Sequence, residues 1–358
     1  MRERKVQVAH RLRFDAHVER LGLVMSPDGA PAEAEGVLNP AFARSRDGRP
    51  LLFPRAVERG NISRIERTYV REGDGRYDVE RLGFALEPEA PYERRPQPGY
   101  GCEDARVTFL PVLDEYLMAY TAFGPDGPRI ALARSSDGFA WERLGLVQFA
   151  HPGATVGDDK DAAFFPEPVL SPEGVRSIAF YHRPMLHLST VDGIAAVPLI
   201  QKMPWADRES IRIAYVPLDD VLADRRALLS VRESALVLSP EERWGAIRVG
   251  AGTPPVRIAE GWLALFHGVD LVNRDAMRPS FCYRAGIVIH DAERPHHVLY
   301  RSPAPVLSSE EHSERHGIVD NVVFPTGIDR RADLGERTFD VYYGMADYTC
   351  GAMRLVLA

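Results

Sequence analysis

A strand, a turn and a second strand recur five times along the chain, and this recurrence limits the fold more than any other feature. The copies open at Asn39-Pro40-Ala41-Phe42, Asp104-Ala105-Arg106-Val107, Asp161-Ala162-Ala163-Phe164, Gly252-Thr253-Pro254-Pro255 and Asn321-Val322-Val323-Phe324. In several copies the second strand ends in an aromatic residue followed by a polar or small one: Tyr120-Thr121, Tyr181-His182, Phe266-His267 and Tyr343-Gly344. Runs such as Leu51-Leu52-Phe53 and Ile130-Ala131-Leu132-Ala133 are bounded by Gly, Pro and Asp turn signals, and amphipathic helical patterns are few. A period of several tens of residues suits propeller blades better than helical solenoids. The chain is therefore expected to be all-β, a five-bladed β-propeller, with a pair of β-sandwiches as the alternative. The first strand of each blade lines a propeller's axis, so Asn39, Asp104, Asp161 and Asn321 are expected to converge on one funnel. The 28 prolines and 29 glycines are scattered, so no long linker divides the chain, and residues 1–358 are read as a single domain.

Apolar residues make up 45% of the chain, enough for a sizeable core, and the formal charge of −7 excludes the basic face of a nucleic-acid binder. No apolar run approaches the ~18 residues of a membrane span, and Met1-Arg2-Glu3-Arg4-Lys5 is followed by no signal-peptide core, so a cytoplasmic protein with no membrane partner is expected. The oligomeric state stays open, a homo-oligomer included. Cys102, Cys282 and Cys350 are widely separated, without CxxC spacing, so neither a disulfide framework nor a zinc site is expected. Cys102 is read as a small apolar side chain. Ser135-Ser136-Asp137-Gly138 reads as a turn, and without a partnering histidine nearby it is not a hydrolase triad.

Taken in order, several strings carry a resemblance: Glu103-Asp104-Ala105-Arg106, Lys160-Asp161-Ala162-Ala163-Phe164-Phe165-Pro166, Tyr181-His182-Arg183-Pro184, Val249-Gly250-Ala251-Gly252-Thr253-Pro254-Pro255, Phe266-His267-Gly268-Val269, Asn321-Val322-Val323-Phe324-Pro325-Thr326-Gly327 and Tyr342-Tyr343-Gly344-Met345-Ala346-Asp347. Over roughly residues 37–350 they resemble glycoside hydrolase family 130, the β-mannoside phosphorylases and β-mannosidases. The resemblance implies a five-bladed propeller, an inverting mechanism, an oligosaccharide substrate and no metal or organic cofactor, with inorganic phosphate as co-substrate of a phosphorylase. The family's acid is the aspartate of a (Glu/Tyr)-Asp-Pro-Arg string, which falls on Asp104, with Ala105 in place of the proline. The family's phosphate site falls on Lys160, Arg183, Arg248 and His267, where the usual order is arginine, arginine, lysine, histidine. Arg and Lys differ where a bidentate contact is needed, so this departure bears on phosphate affinity. For the sugar, the resemblance suggests Asn39, Arg64, Asn321 and Asp347, with Tyr100, Trp262 and Tyr343 as stacking platforms.

The chemistry asks for these residue types. Breaking a glycosidic bond requires one carboxylic acid to protonate the departing oxygen, and inverting hydrolysis requires a second carboxylate to activate water. Phosphorolysis replaces that second group with cations that hold phosphate and aim one oxygen. Four basic positions therefore favour phosphorolysis over hydrolysis, for which Asp161 and Glu167 are the candidate bases. Each residue also has a plainer role. Asp104 can cap a turn, Lys160 can partner Asp158-Asp159, His267 can be a core histidine, and Arg183 and Arg248 can clamp adjacent blades. Two further readings are a non-catalytic glycan-binding propeller and a β-fructosidase-like or arabinanase-like enzyme. The latter needs carboxylates where blades one and five carry Asn39 and Asn321.

Overall fold

The computed structural model describes residues 14–73, 76–150, 157–186, 193–272 and 280–358, so Met1–Lys5, read above for a leader, lies outside them. The described chain is mostly strand, with short α-helices at Gly193–Ile200, Leu218–Ala223 and His312–Arg315. None of its helices is long and apolar enough to cross a membrane.

The strands pair into five antiparallel units in chain order. The first runs Gly36–Arg44, Pro50–Glu58, Ile62–Glu72, Tyr77–Leu86, and the second Tyr100–Leu110, Glu115–Gly124, Gly127–Ser135, Glu142–Leu146. The third runs Asp159–Phe164, Arg176–Pro184, Ile211–Pro217, Glu233–Leu238, and the fourth Arg248–Ala251, Gly261–Val272, Ser280–His290, Val298–Arg301. The fifth runs Val323–Arg330, Thr338–Met345, Thr349–Leu357, and its fourth strand is Ala16–Met25 from the other end of the chain. Ile62 and Ser63 pair in parallel with Tyr100 and Gly101, joining the first two units into one sheet. That seam needs glycine, because a Cβ on Gly101 would stand 2.2 Å from the Ser63 carbonyl oxygen.

Alternating apolar residues on both faces of these strands build five clusters, each shared by two consecutive units. Leu51, Phe53 and Met118 join the first unit to the second, Phe164 and Phe180 pack with Leu132, and Phe165 and Tyr181 pack with Trp262. Leu263 and Ile287 meet Val341 and Tyr343, and Phe42 and Val37 meet Tyr342 and Cys350, which brings the fifth unit against the first. The opening strand Gly36–Arg44 accordingly touches both Tyr100–Leu110 and Val323–Arg330, and Asp159–Phe164 touches both Tyr100–Leu110 and Arg248–Ala251.

The polar openers of the repeat have a common backbone. Asn39, Asp104 and Asp161 have φ of 49°, 49° and 61°, and each lies where the pairing register of its first strand shifts. Asn and Asp tolerate the left-handed region, and a bulge turns the side chain out of the alternation of its strand. Asn321 shares the conformation, at φ 61°, but precedes its strand. Gly252 departs from the expectation: it follows Arg248–Ala251 instead of opening a strand. In two of its copies the aromatic half of the repeat is an anchor. Tyr120 and Tyr343 donate their hydroxyls to the buried Glu93 and Glu314, at 2.6 and 2.9 Å. Each glutamate also accepts two backbone N–H groups of its own turn and pairs with an arginine, Arg143 or Arg20.

Candidate active site

The bulge at Asp104 presents its carboxylate to two neighbours on the first unit. Asn39 Nδ2 donates to Oδ1 at 2.8 Å, and Arg55 Nη1 approaches the same oxygen at 3.4 Å. Arg55 is held by Ser63 Oγ at 2.8 Å and by Asn61 Oδ1 and Glu103 Oε1, each at 3.0 Å. Burial alone would raise the Asp104 carboxyl, but the charges of Arg55, Lys160 and Arg106 and the Asn39 amide outweigh it and hold it below the ordinary value. Asp347, in a turn at φ 50°, faces the same group. Burial first, then the charge of Asp104, pushes its carboxyl up to about 6, against the pull of Arg55 and Lys160. The two acids thus have their proton affinities driven apart, the usual mark of carboxylates with different tasks. Lys160 Nζ donates to Glu103 Oε2 at 3.3 Å. Lys160, Arg55, Glu103 and Asp347 line one cavity of about 600 Å³.

A second cluster adjoins it around Asp161. Arg183 Nε donates to Asp161 Oδ2 at 2.7 Å, and its Nη1 pairs with Glu209. His267 Nε2 and Arg106 Nη2 each lie 3.7 Å from the Asp161 carboxylate. Burial opposes the charge of Asp161, but Arg183, His267 and Arg106 hold it well below the carboxylate range. Burial pushes His267 down to about 3, since the nearby arginines offset what Asp161 returns. The imidazole is therefore neutral at working pH, which corrects its expected cationic role: it offers a ring N–H, not a charge. Arg248 Nη2 donates to the Tyr283 hydroxyl at 2.5 Å. Arg248 Nε and His267 Nδ1 are buried with no hydrogen-bond partner among the described residues.

Arg106 joins the two clusters. It is 1% exposed, donates to the carbonyls of Gly252, Asp104 and Ala251 at 3.0, 2.8 and 3.2 Å, and lies against the Phe324 ring. Through it, the backbone that carries Asp104 is tied to the strand that carries Arg248.

Several expected residues are elsewhere. Arg64 pairs with Glu58 and Glu87, at 2.6 and 3.3 Å, and Arg55 takes the place beside Asp104. Tyr343 is 1% exposed with its hydroxyl on Glu314, and Trp262 is 1% exposed with Nε1 donating to the Ala292 carbonyl, so both are core and not platforms. Tyr100 is half-buried at the parallel seam. Asn321 is half-buried, with its backbone bonded to Arg315 and Tyr283. Glu167 is exposed in the loop after Asp159–Phe164, and Asp161 is locked by its cations, which leaves neither placed to activate water. Cys102 is fully buried core. Asn39 keeps its place, with Oδ1 buried and unpartnered among the described residues. Gly344 makes room for it, since a Cβ there would lie 2.0 Å from that oxygen. Arg55, Glu103, Glu209 and Tyr283 were missed. Only Glu103 lies inside a quoted string, and the others carry no signal in the repeat.

Asp104→Asn is expected to bring the Asp347 carboxyl down from about 6, because the charge of Asp104 is, after burial, what raises it. A carboxyl-carbon NMR titration from about pH 3 to 8 reads the shift. An unchanged Asp347 titration would show that the two carboxyls do not sense each other.

The chain is similar to known proteins in both sequence and fold. Residues 201–356 match the sequence family described as beta-1,4-mannooligosaccharide phosphorylase. A 1,2-beta-oligomannan phosphorylase of Thermoanaerobacter sp. (strain X514) is 30% identical over 254 residues, 70% of this chain and 67% of that protein. A beta-1,2-mannobiose phosphorylase of Listeria innocua is 30% identical over 69% of this chain and 56% of its own length. The solved beta-1,2-mannobiose phosphorylase from Listeria innocua, in complex with beta-1,2-mannobiose, superposes with a TM-score of 0.68 at 22% identity, covering 94% of this chain and 96% of that one. A structure described under glycoside hydrolases that target beta-1,2 mannosidic linkages in Candida mannan superposes with a TM-score of 0.66 at 20% identity, covering 98% and 96%.

Proposed function

Because the chain belongs to glycoside hydrolase family 130, we propose that it is an enzyme that transfers the mannosyl group of a β-mannoside to inorganic phosphate with inversion, at the axis of a five-bladed β-propeller. The bond from C1 to the leaving oxygen breaks, a phosphate oxygen bonds to C1 from the opposite face, and the proton of Asp104 goes to the departing alcohol. The products are α-mannose 1-phosphate and a sugar or alcohol shortened by one mannose. The fold proposal is supported by the five like units and by the packing of the fifth against the first.

The carrying observation is the pair of buried, unpartnered nitrogens, Arg248 Nε and His267 Nδ1, in a cluster that also holds Arg183 and adjoins Asp104. Arg248 Nε is a donor in either case, a buried donor without an acceptor is costly, and an oxyanion is the ligand that satisfies it; His267 Nδ1 joins it as a donor in the tautomer that carries the proton there. Lys160 reaches toward both acids and is assigned to the phosphate or to the reacting sugar oxygen. Phosphate brings negative charge next to Asp104 and raises its proton affinity, which favours the protonated acid against the cations that hold it down. Asn39, Arg55 and Asp347 are assigned to mannose hydroxyls.

Hydrolysis has one observation on its side: Glu209 is a buried carboxylate beside Arg183. Its Oε1 accepts from Leu186 N–H and its Oε2 pairs with Arg183, so water activation would have to compete with both. The discriminating experiment incubates β-1,2- and β-1,4-mannobiose with and without phosphate. Phosphate-dependent α-mannose 1-phosphate is expected. Arg248→Gln should raise KM for phosphate at least about tenfold, the worth of a charge-assisted bond, with a smaller change in KM for the mannoside. Free mannose released at a rate indifferent to phosphate would replace this reading with an inverting mannosidase.

A further inference from the structure

The cavity lined by Lys160 and Asp347 also takes in Ile318 and Val319. Ile318 is 64% exposed and Val319 38%, so here aliphatic surface is left in water beside the charged side chains of Arg55, Glu103, Lys160 and Asp347. The loop that carries them is fastened down. Val319 N–H donates to the Ala346 carbonyl at 3.2 Å, and Ala346 N–H donates to the Val322 carbonyl at 3.0 Å. Gly317 sits so close that a Cβ on it would stand 2.2 Å from the Ala346 carbonyl oxygen. Ahead of the loop, Glu314 is buried and gripped by Arg20 and Tyr343. The two side chains are thus presented at a fixed position beside the turn that brings Asp347 into the cavity.

We propose that Ile318 and Val319 receive the leaving group and select one with an apolar face, such as an aryl or alkyl alcohol. The inference rests on the β-mannoside reading above. The groups assigned to the transferred sugar are hydrogen-bonding ones, Asn39, Arg55 and Asp347. Ile318 and Val319 offer no donor or acceptor, so a hydroxyl pressed against them loses water without compensation, whereas an apolar face gains by leaving it. Phe123, Leu38 and Val57 line the same cavity, but the Phe123 ring already faces Lys160 Nζ at 5.8 Å and the Arg95 guanidinium at 4.4 Å, and Leu38 and Val57 are buried, which leaves the aliphatic pair as the exposed apolar contact.

The test compares kcat/KM for benzyl β-mannoside and methyl β-mannoside at saturating phosphate. Both leaving groups are aliphatic alcohols that need the same proton, so their ratio reads contact and not leaving-group chemistry. Benzyl is expected to be favoured by at least about tenfold. Ile318→Ser should cut that ratio about tenfold, and Ile318→Val should keep most of it. A ratio near one in the parent protein, or a ratio unchanged in Ile318→Ser with an unchanged melting temperature, overturns the proposal. Turnover of β-mannobiose with neither alkyl mannoside accepted also overturns it. If no β-mannoside is turned over at all, the reaction assignment fails first and the leaving-group assignment falls with it.

Discussion

Asp104→Asn is expected to lower kcat/KM on β-mannobiose by about 10²- to 10⁴-fold, the usual contribution of a positioned acid, while the protein stays folded. The amide oxygen can still accept from Asn39 Nδ2, which donates to Oδ1 at 2.8 Å in the parent protein. Arg55 keeps Ser63, Asn61 and Glu103. What is lost is the proton. The loss should therefore shrink on a 2,4-dinitrophenyl β-mannoside, whose leaving group departs without protonation. Near-normal turnover of β-mannobiose by the variant would assign the acid elsewhere, with Asp347 next in line. An equal loss on both substrates would show that Asp104 binds and does not donate.

Asp161→Asn should cost about 3–5 kcal/mol of stability, the range for breaking a buried ion pair. Asp161 is 3% exposed and compensates Arg183 directly, with Arg106 and His267 at 3.7 Å. Removing its charge leaves buried guanidinium groups facing one another. The sign of the pH dependence follows from its depressed carboxyl. A folded value below the unfolded one means that the stabilisation is complete above about pH 4 and is lost as pH falls toward the folded value. The variant should have a flatter acid limb in denaturant midpoints measured from pH 7 down to 3. An unchanged midpoint at neutral pH, together with abolished phosphate-independent mannose release, would instead make Asp161 the base of a hydrolase.

The openers of the repeat were legible because one backbone state has a strong residue preference. A left-handed residue in a strand bulge favours Asn or Asp, so Asn39, Asp104 and Asp161 mark the places where side chains leave the strand alternation. The position of the arginine was not legible. Arg55 pairs with Ile65 and Ala56 with Arg64, so Arg55 and Arg64 stand one residue out of step across a hairpin and project to opposite faces. Aromatic residues misled for a different reason. Tyr343 and Trp262 occupy strand positions where burial and exposure share one sequence pattern, and only their partners, the buried Glu314 and the Ala292 carbonyl, decide. The charge of His267 was likewise beyond reach, because it depends on how many arginines the fold gathers around an imidazole that lost its water. Glu209 lies in the segment before Ile211–Pro217, outside every repeated string.

The fourth strand of the last unit, Ala16–Met25, pairs with Thr349–Leu357 from Ala16 opposite Leu357 to Met25 opposite Cys350. In synthesis this strand leaves the ribosome long before its partner does, a wait of tens of seconds at about 5–20 residues per second. Through that interval it is an unpaired edge, the kind of surface that invites wrong partners. Its exposed residues include His17 and Glu19, with Arg20 between them and the strand's centre, and a charged, unevenly apolar edge is poorly suited to self-association. Order of synthesis, and not only the finished architecture, thus has a bearing on which residues this strand can tolerate.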